Sequence, residues 1–263
     1  DLVELFAVPS VGGSPLRVSP PSMIAGGNVS RFDWCPVGDL LAFVADADTD
    51  GLEELYVVHA DGSGRLKVSG ALTPGSGGIN RFAWAPDGSR LAYSAMMDPA
   101  TLFSISSVLP DGTSRITLSQ AVGSFNVTEF SWAPDSSRLS YIAPEGTDVS
   151  SQLYAVGADG TGKVRVSSTS DSGTVSGSPN FPMNWSFDSS RILYRRTSTS
   201  VQLHVGMADG SGTLKITPIP TPGGNAATYG HFWFPSSASI MYLADQVTNN
   251  VWEVFTVQPD GAG

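Results

Sequence analysis

The sequence predicts an all-β fold, a β-propeller of four-stranded antiparallel blades, and three observations predict it. A tryptophan recurs in similar surroundings at Trp34, Trp84, Trp132, Trp185 and Trp233, within RFDWCPVGDLLAF, RFAWAPDGSRLAY, EFSWAPDSSRLSY, MNWSFDSSRILY and HFWFPSSASIMY. Its spacings are 50, 48, 53 and 48 residues, and a fixed period of this size marks a repeat architecture. A run of the type ELYVVHADGSG follows each tryptophan, and a run of the type LKVS follows all but the last. Apolar and polar residues alternate through these runs, β-branched residues are abundant, and no segment carries an amphipathic helical period.

Each unit reads as four short strands. Strand A holds the tryptophan, strand B is the LAY-type run, strand C the LYVV-type run and strand D the LKVS-type run. PDG, PDS and ADG clusters supply the hairpins, because Gly and Asp tolerate positive φ and Asp bonds its own backbone. Strand C carries an aromatic-type position, filled by Phe6, Tyr56, Phe103, Tyr154, His204 and Phe255. A four-stranded sheet of this length cannot bury both faces alone; sheets stacked face to face around an axis can. The tryptophans are expected to pack between neighbouring blades rather than to line a pore. The blade units fall at approximately 20–69, 70–119, 120–167, 168–217 and 218–263, with 1–19 a partial blade, in a single propeller domain over 1–263.

These residues resemble the TolB-type propeller repeat, one of the WD-type repeats. The pattern W-x-P-D-G-x-x-L-A-Y followed by L-Y-V-x-x-x-D-G and V-S is met best by 82–93 with 102–119 and by 130–141 with 153–167, and the resemblance covers essentially the whole chain. At the ends Val37-Gly38 and Ser236-Ser237 replace the Asp-Gly of the turn. The resemblance implies a six-bladed ring. The chain starts in strand C (residues 4–8), continues through strand D (16–19) and four complete units, and stops after strand C of the last, so it is expected to be a window on a longer protein or to contain one incomplete blade. Five blades is the alternative, with LRVS (16–19) supplying the last strand D as a clasp. The resemblance also implies docking of other proteins in a periplasmic or extracellular setting, a cytoplasmic one remaining open.

The net charge of −10 argues against a nucleic-acid partner, which would require a basic surplus. No stretch approaches the twenty apolar residues of a membrane span. Cys35 is the single cysteine, so no disulfide forms within the chain, and its place in a strand marks it as a small buried residue.

In an antiparallel blade the A–B and C–D turns fall on one side and the B–C and D–A connections on the other. The first side is short and repetitive, and its acids (Asp61, Asp87, Asp111, Asp135, Asp159) sit near bases (Arg65, Arg90, Arg115, Arg138, Lys163). The second side carries the long irregular loops, where binding usually resides. It also collects acids with few bases opposing them, chiefly Arg195 and Arg196. Phe125, Phe181 and Tyr229, in or near the D–A loops, and His231, which begins a strand A and alone of three histidines looks free to act, are the candidate partner-binding residues. The competing reading is that the aromatics plug the blade ends.

No catalytic constellation emerges: there is no GxSxG, no HExxH and no phosphate loop. No cofactor is expected. One loop, DADTDG, alternates Asp46, Asp48 and Asp50 before Gly51, a pattern of hard oxygens that resembles a calcium site, although Val57 stands where a distal Glu belongs. The alternative is a solvated acidic hairpin. The function expected is a non-catalytic scaffold that docks another protein, or a segment of its own longer chain, on the acidic loop face. The alternatives are the propeller of a hydrolase or lyase, or a glycan- or calcium-binding module.

Overall fold

A computed structural model describes residues 2–21, 23–72, 75–76, 78–96, 102–119, 127, 129–146, 150–169, 173–176, 183–217, 226–248 and 250–261; for 226–229 it describes the backbone alone. The described residues are all-β, with antiparallel sheets in chain order. The chain divides into two compact units, Asp1–Thr128 and Glu129–Gly263.

In the first unit, β1 (Phe6–Ala7) pairs β2 (Leu16–Arg17) as a partial blade. The first blade follows: β3 (Val29–Trp34), β4 (Leu40–Ala45), β5 (Glu54–His59) and β6 (Leu66–Lys67). The second is β7 (Ile79–Trp84), β8 (Leu91–Met96), β9 (Phe103–Val108) and β10 (Ile116–Thr117). In the second unit the third blade comprises β11 (Phe130–Trp132), β12 (Arg138–Ala143), β13 (Gln152–Gly157) and β14 (Val164–Arg165). The fourth has a divided strand A, β15 (Thr174–Ser176) and β16 (Asn184–Trp185), both paired to β17 (Arg191–Thr197), then β18 (Val201–Met207) and β19 (Thr213–Lys215). The fifth is β20 (Ala226–Trp233), β21 (Ile240–Ala244) and β22 (Glu253–Val257). Strand pairing places LRVS with its own strand C, Phe6 opposite Arg17.

The core lies between adjacent sheets. In the first unit one cluster joins Ala42, Val44 and Leu55 of the first blade to Trp84, Leu91 and Tyr93 of the second. In the second unit comparable clusters form around Trp185 and around Trp233. Each of these indoles meets the preceding blade, and its Nε1 donates to the carbonyl just before that blade's own tryptophan. Trp84 reaches Asp33 O at 3.3 Å, Trp185 reaches Ser131 O at 3.2 Å and Trp233 reaches Asn184 O at 2.9 Å. Gly88, at φ +72°, lets the second blade's turn close onto Cys35, whose Sγ would lie 2.6 Å from an added Cβ; the cysteine is buried as expected. Trp34 is the exception, 46% exposed. Among the described residues the sheet before it is two-stranded, β1 with β2.

Three local expectations change. Register puts Ser106, not Phe103, opposite Tyr93; Phe103 pairs with Met96. Strand C aromatics matter by stacking on strand B, as in Phe43–Tyr56, Tyr141–Tyr154 and Tyr194–His204 (centroids 5.2–5.6 Å), so residue type without register misplaces the slot. The run taken as the D–A loop before the fourth blade contains strand β15, because the Thr-Val-Ser alternation buries Val175 against its neighbours. Strand A of the fifth blade starts at Ala226, so Tyr229 lies within β20 rather than in a loop.

A regularity that no motif announced ties strand C to strand D. The last residue of each D run is Ser or Thr, buried, and its hydroxyl oxygen accepts a strand C amide. The pairs are Leu5 N to Ser19 Oγ (3.1 Å), Leu55 N to Ser69 Oγ (3.2 Å), Ile105 N to Ser119 Oγ (2.9 Å), Leu153 N to Ser167 Oγ (3.2 Å) and Leu203 N to Thr217 Oγ1 (3.1 Å). Strand D is too short to satisfy that amide with backbone, and a buried unpaired N–H is costly.

Candidate functional site

The two sides of a blade differ as the loop lengths imply. On the turn side, A–B and C–D turns are neighbours: Ala60 N donates to Asp39 O, Ala158 N to Ser137 O and Ala208 N to Ser190 O, at 2.8–2.9 Å. Each turn aspartate accepts the amide two residues on, as in Asp61–Ser63, Asp87–Ser89, Asp111–Thr113 and Asp209–Ser211, all at 2.9 Å. These bonds hold the carboxyls of Asp61, Asp111 and Asp209 below their ordinary pKa. The bases do something else. Arg65 Nε donates to Val18 O and Arg115 Nη2 to Val68 O, both at 3.1 Å and both onto the preceding blade. The turn carboxylates are therefore balanced by their own backbone, while Arg65 and Arg115 join sheets and Arg90 and Arg138 bond within their own blade.

On the loop side the acids have partners that the sequence did not indicate. Lys67 Nζ lies 2.9 Å from Asp48 and 2.8 Å from Glu54, whose other oxygen accepts the Tyr56 hydroxyl at 2.9 Å. Burial pulls the Lys67 pKa down, but Glu54 and Asp48 more than offset it and the net shift is upward. Arg31 pairs with Glu53, and Lys163 lies 3.2 Å from Glu145. Arg196, expected to oppose loop acids, is buried and donates to Ser168 O at 3.3 Å. The loop side thus holds fewer uncompensated carboxylates than expected, because long side chains from strands A and D reach it.

Within DADTDG, Asp46 accepts Asn28 N at 2.5 Å and Gly51 N at 3.2 Å. Asp245 occupies the same point of the fifth blade's B–C loop and accepts Asn250 N at 3.1 Å. Gly51 and Asn250 both have positive φ, +71° and +64°. The first aspartate is thereby a turn-former in two blades. Asp48 turns to Lys67, while Asp50 is exposed beside Gly26. Among the described residues no three His, Cys, Asp or Glu side chains are grouped to hold a metal ion.

Of the candidate partner-binding residues, Phe125 and Phe181 lie outside the described residues, as does the side chain of Tyr229. His231 is described and is 2% exposed, opposite Tyr242 on the face that packs against the fourth blade. The expectation that its ring is free is corrected: alternation along β20 turns it inward with Trp233. His204 stacks on Tyr194 at 5.5 Å, as its place in the repeat implied. Phe187 and Phe234 escaped the sequence reading. They sit in A–B turns, 56% and 40% exposed, where the better-matched units have Pro and Ala. Aligning the turns position by position would have found them.

No helix among the described residues is long and apolar enough to cross a membrane. No curated protein matches the chain. Solved structures of the same fold include a protein of Agrobacterium tumefaciens assigned as a TolB, with 17% identity and a TM-score of 0.52, covering 95% of this chain and 82% of that one. A prolyl endopeptidase aligns with 13% identity and a TM-score of 0.62 over 92% of this chain but 36% of its own. The tricorn protease aligns with 15% identity and a TM-score of 0.57 over 97% of this chain and 22% of its own. Both peptidases are therefore matched over a minor part of their length. Residues 10–227 match the lipoprotein LpqB beta-propeller domain, and the chain belongs to that family, within the TolB-like β-propellers.

Proposed function

We propose that the protein is a non-catalytic scaffold that docks another protein, or a further segment of its own polypeptide, on its long-loop side, as part of an envelope or extracellular assembly. One observation carries this reading: the two sides of each blade are unequal. Turn-side carboxylates accept from their own backbone, and the turn-side arginines Arg65 and Arg115 bond to the neighbouring sheet. The loop side keeps exposed carboxylates at Asp48 and Asp50, and the sequence assigns it the variable segments, with Phe125 and Phe181 as proposed anchors. Membership of a family defined on a lipoprotein's propeller supports an envelope setting. A hydrolase-associated propeller is the rival reading, supported only by shared fold.

Site-directed photo-crosslinking in the native host tests it. A photoreactive residue placed at 125 or 181 is expected to trap one discrete envelope protein, while the same residue at 187 or 234 traps none. Trapping from 187 and 234 alone would move the docking surface to the turn side and overturn the reading.

A further inference from the structure

Asp-Gly bonds occur at Asp50, Asp61, Asp87, Asp111, Asp159, Asp209 and Asp260. Such a bond can rearrange, because no side chain crowds the glycine nitrogen when it attacks the aspartate carboxyl. All of these aspartates are exposed, so exposure does not separate them. Hydrogen bonding does. In the A–B and C–D hairpins the glycine N–H closes the turn, from Gly62 N onto His59 O in the first blade to Gly261 N onto Gln258 O in the fifth, at 2.8–2.9 Å. The carboxylates of Asp61, Asp87, Asp111, Asp159 and Asp209 each accept the amide two residues on, at 2.9 Å. Attacking nitrogen and carboxyl carbon are both engaged elsewhere.

The Asp50-Gly51 bond is built the other way. It lies in the middle of a turn that Leu52 N closes onto Thr49 O at 3.0 Å, so the amide that would cap Asp50 is already committed. Gly51 N is spared from turn closure and donates to Asp46 Oδ2 at 3.2 Å, while Asp46 Oδ1 is anchored by Asn28 N at 2.5 Å. A carboxylate thus sits on the N–H that must lose its proton. The fifth blade repeats the turn, with Val251 N on Thr248 O at 3.0 Å and Asn250 N on Asp245 Oδ2 at 3.1 Å. There the donor carries a side chain; in the first blade it is glycine.

We propose that Asp50 is a self-modification site, at which the Asp50-Gly51 bond isomerises to isoaspartate with Asp46 as the base. The Gly51 nitrogen attacks Cγ of the protonated Asp50 carboxyl and Asp46 takes the N–H proton. With that proton passed on, the carboxyl hydroxyl leaves as water and a succinimide ring closes. Water then adds to either imide carbonyl. Opening at the side-chain carbonyl restores aspartate. Opening at the main-chain carbonyl routes the backbone through Cβ and leaves the carboxylate on Cα. The water lost is regained, and no oxidant or cofactor is consumed. The product lengthens the DADTDG loop by one backbone carbon and keeps its charge. The chemistry does not depend on a docked partner.

The whole chain is incubated at neutral pH below its unfolding temperature, and isoaspartate is located by peptide mapping after labelling with an isoaspartyl methyltransferase. It is expected to accumulate at residue 50 about 10-fold or more faster than at residues 61, 87, 111, 159 or 209, the factor that one or two hydrogen bonds supply. Concentrated urea should bring these sites to a similar rate. Asp46→Asn should slow residue 50 by about 10-fold in the folded protein and leave its rate in urea unchanged, which separates the base from a folding defect. Gly51→Asn copies the fifth blade, tolerates the φ of +71°, and should also slow the reaction by crowding the nitrogen. No excess at residue 50 in the folded protein, an excess that persists in urea, or an Asp46→Asn rate equal to or above the wild type overturns the proposal.

Discussion

Trp84, Trp185 and Trp233 differ from Trp34 in surroundings rather than in motif. The first three are 6–7% exposed and each donates to the preceding sheet; Trp34, at the same position of its unit, is 46% exposed. A repeat motif prescribes which surface a residue belongs to, and the neighbouring sheet decides whether that surface is buried. Energetic weight in a propeller is therefore a property of interfaces, as expected of quasi-one-dimensional architectures.

The largest effect should come from breaking the tryptophan comparison. Trp185→Ala empties a packed interface and should cost about 3–5 kcal/mol, whereas Trp34→Ala should cost about 1 kcal/mol or less. Urea unfolding of the two variants measures the gap, and equal losses would show that the motif and not the interface carries the stability.

Next in size is the hydroxyl that joins strands C and D. Ser69→Ala or Ser167→Ala leaves a buried amide unpaired and should cost about 1–3 kcal/mol. Ser69→Thr should be close to neutral, since Thr217 fills the same role in the fourth blade. Hydrogen exchange at Leu55 N would show the loss directly.

A smaller effect is expected in the A–B turns. Ser189 holds φ +61°, and its Oγ accepts Asp135 N of the preceding blade at 3.0 Å. Ser189→Ala keeps the strained φ and loses the bond, for a loss of about 1 kcal/mol. Ser189→Gly loses the bond but relieves the strain, so it should unfold nearer to the wild type. The order Gly above Ala in thermal midpoint checks both terms.

The smallest effect separates turn aspartates from a turn serine by pH. Asp61, Asp111 and Asp209 have carboxyls lowered from 3.8 by their turn hydrogen bonds, so their contribution is complete above that value and is lost as pH falls below it. Ser236, which replaces the aspartate of other A–B turns in the fifth blade, has an Oγ that accepts Ala238 N at 3.4 Å and does not titrate, so it serves as the control. Acidification to about pH 3 should speed amide exchange at Ser63, Thr113 and Ser211 while leaving Ala238 little changed.

Much of this was legible in the chain. The tryptophan period, the alternating runs and the Asp-Gly turns depend on neighbours within a few residues, and they determined the all-β class, the order of strands A to D and the short capped turns. The burial of Cys35 and the packing role of His204 followed from comparing units at equal positions. What the tertiary structure decided depends on partners far apart in sequence. Register placed Ser106 rather than Phe103 opposite Tyr93, and alternation along β20 turned His231 inward. Lys163, assigned by its position to the turn side, reached Glu145, and Lys67 reached Asp48. Ser19, Ser69 and Thr217 acquired a role through amides 14 residues away. Local backbone preference and hydrophobic period are written along the chain, whereas the pairing of a charge, a hydroxyl or a sheet edge is set by whichever strand the fold brings alongside.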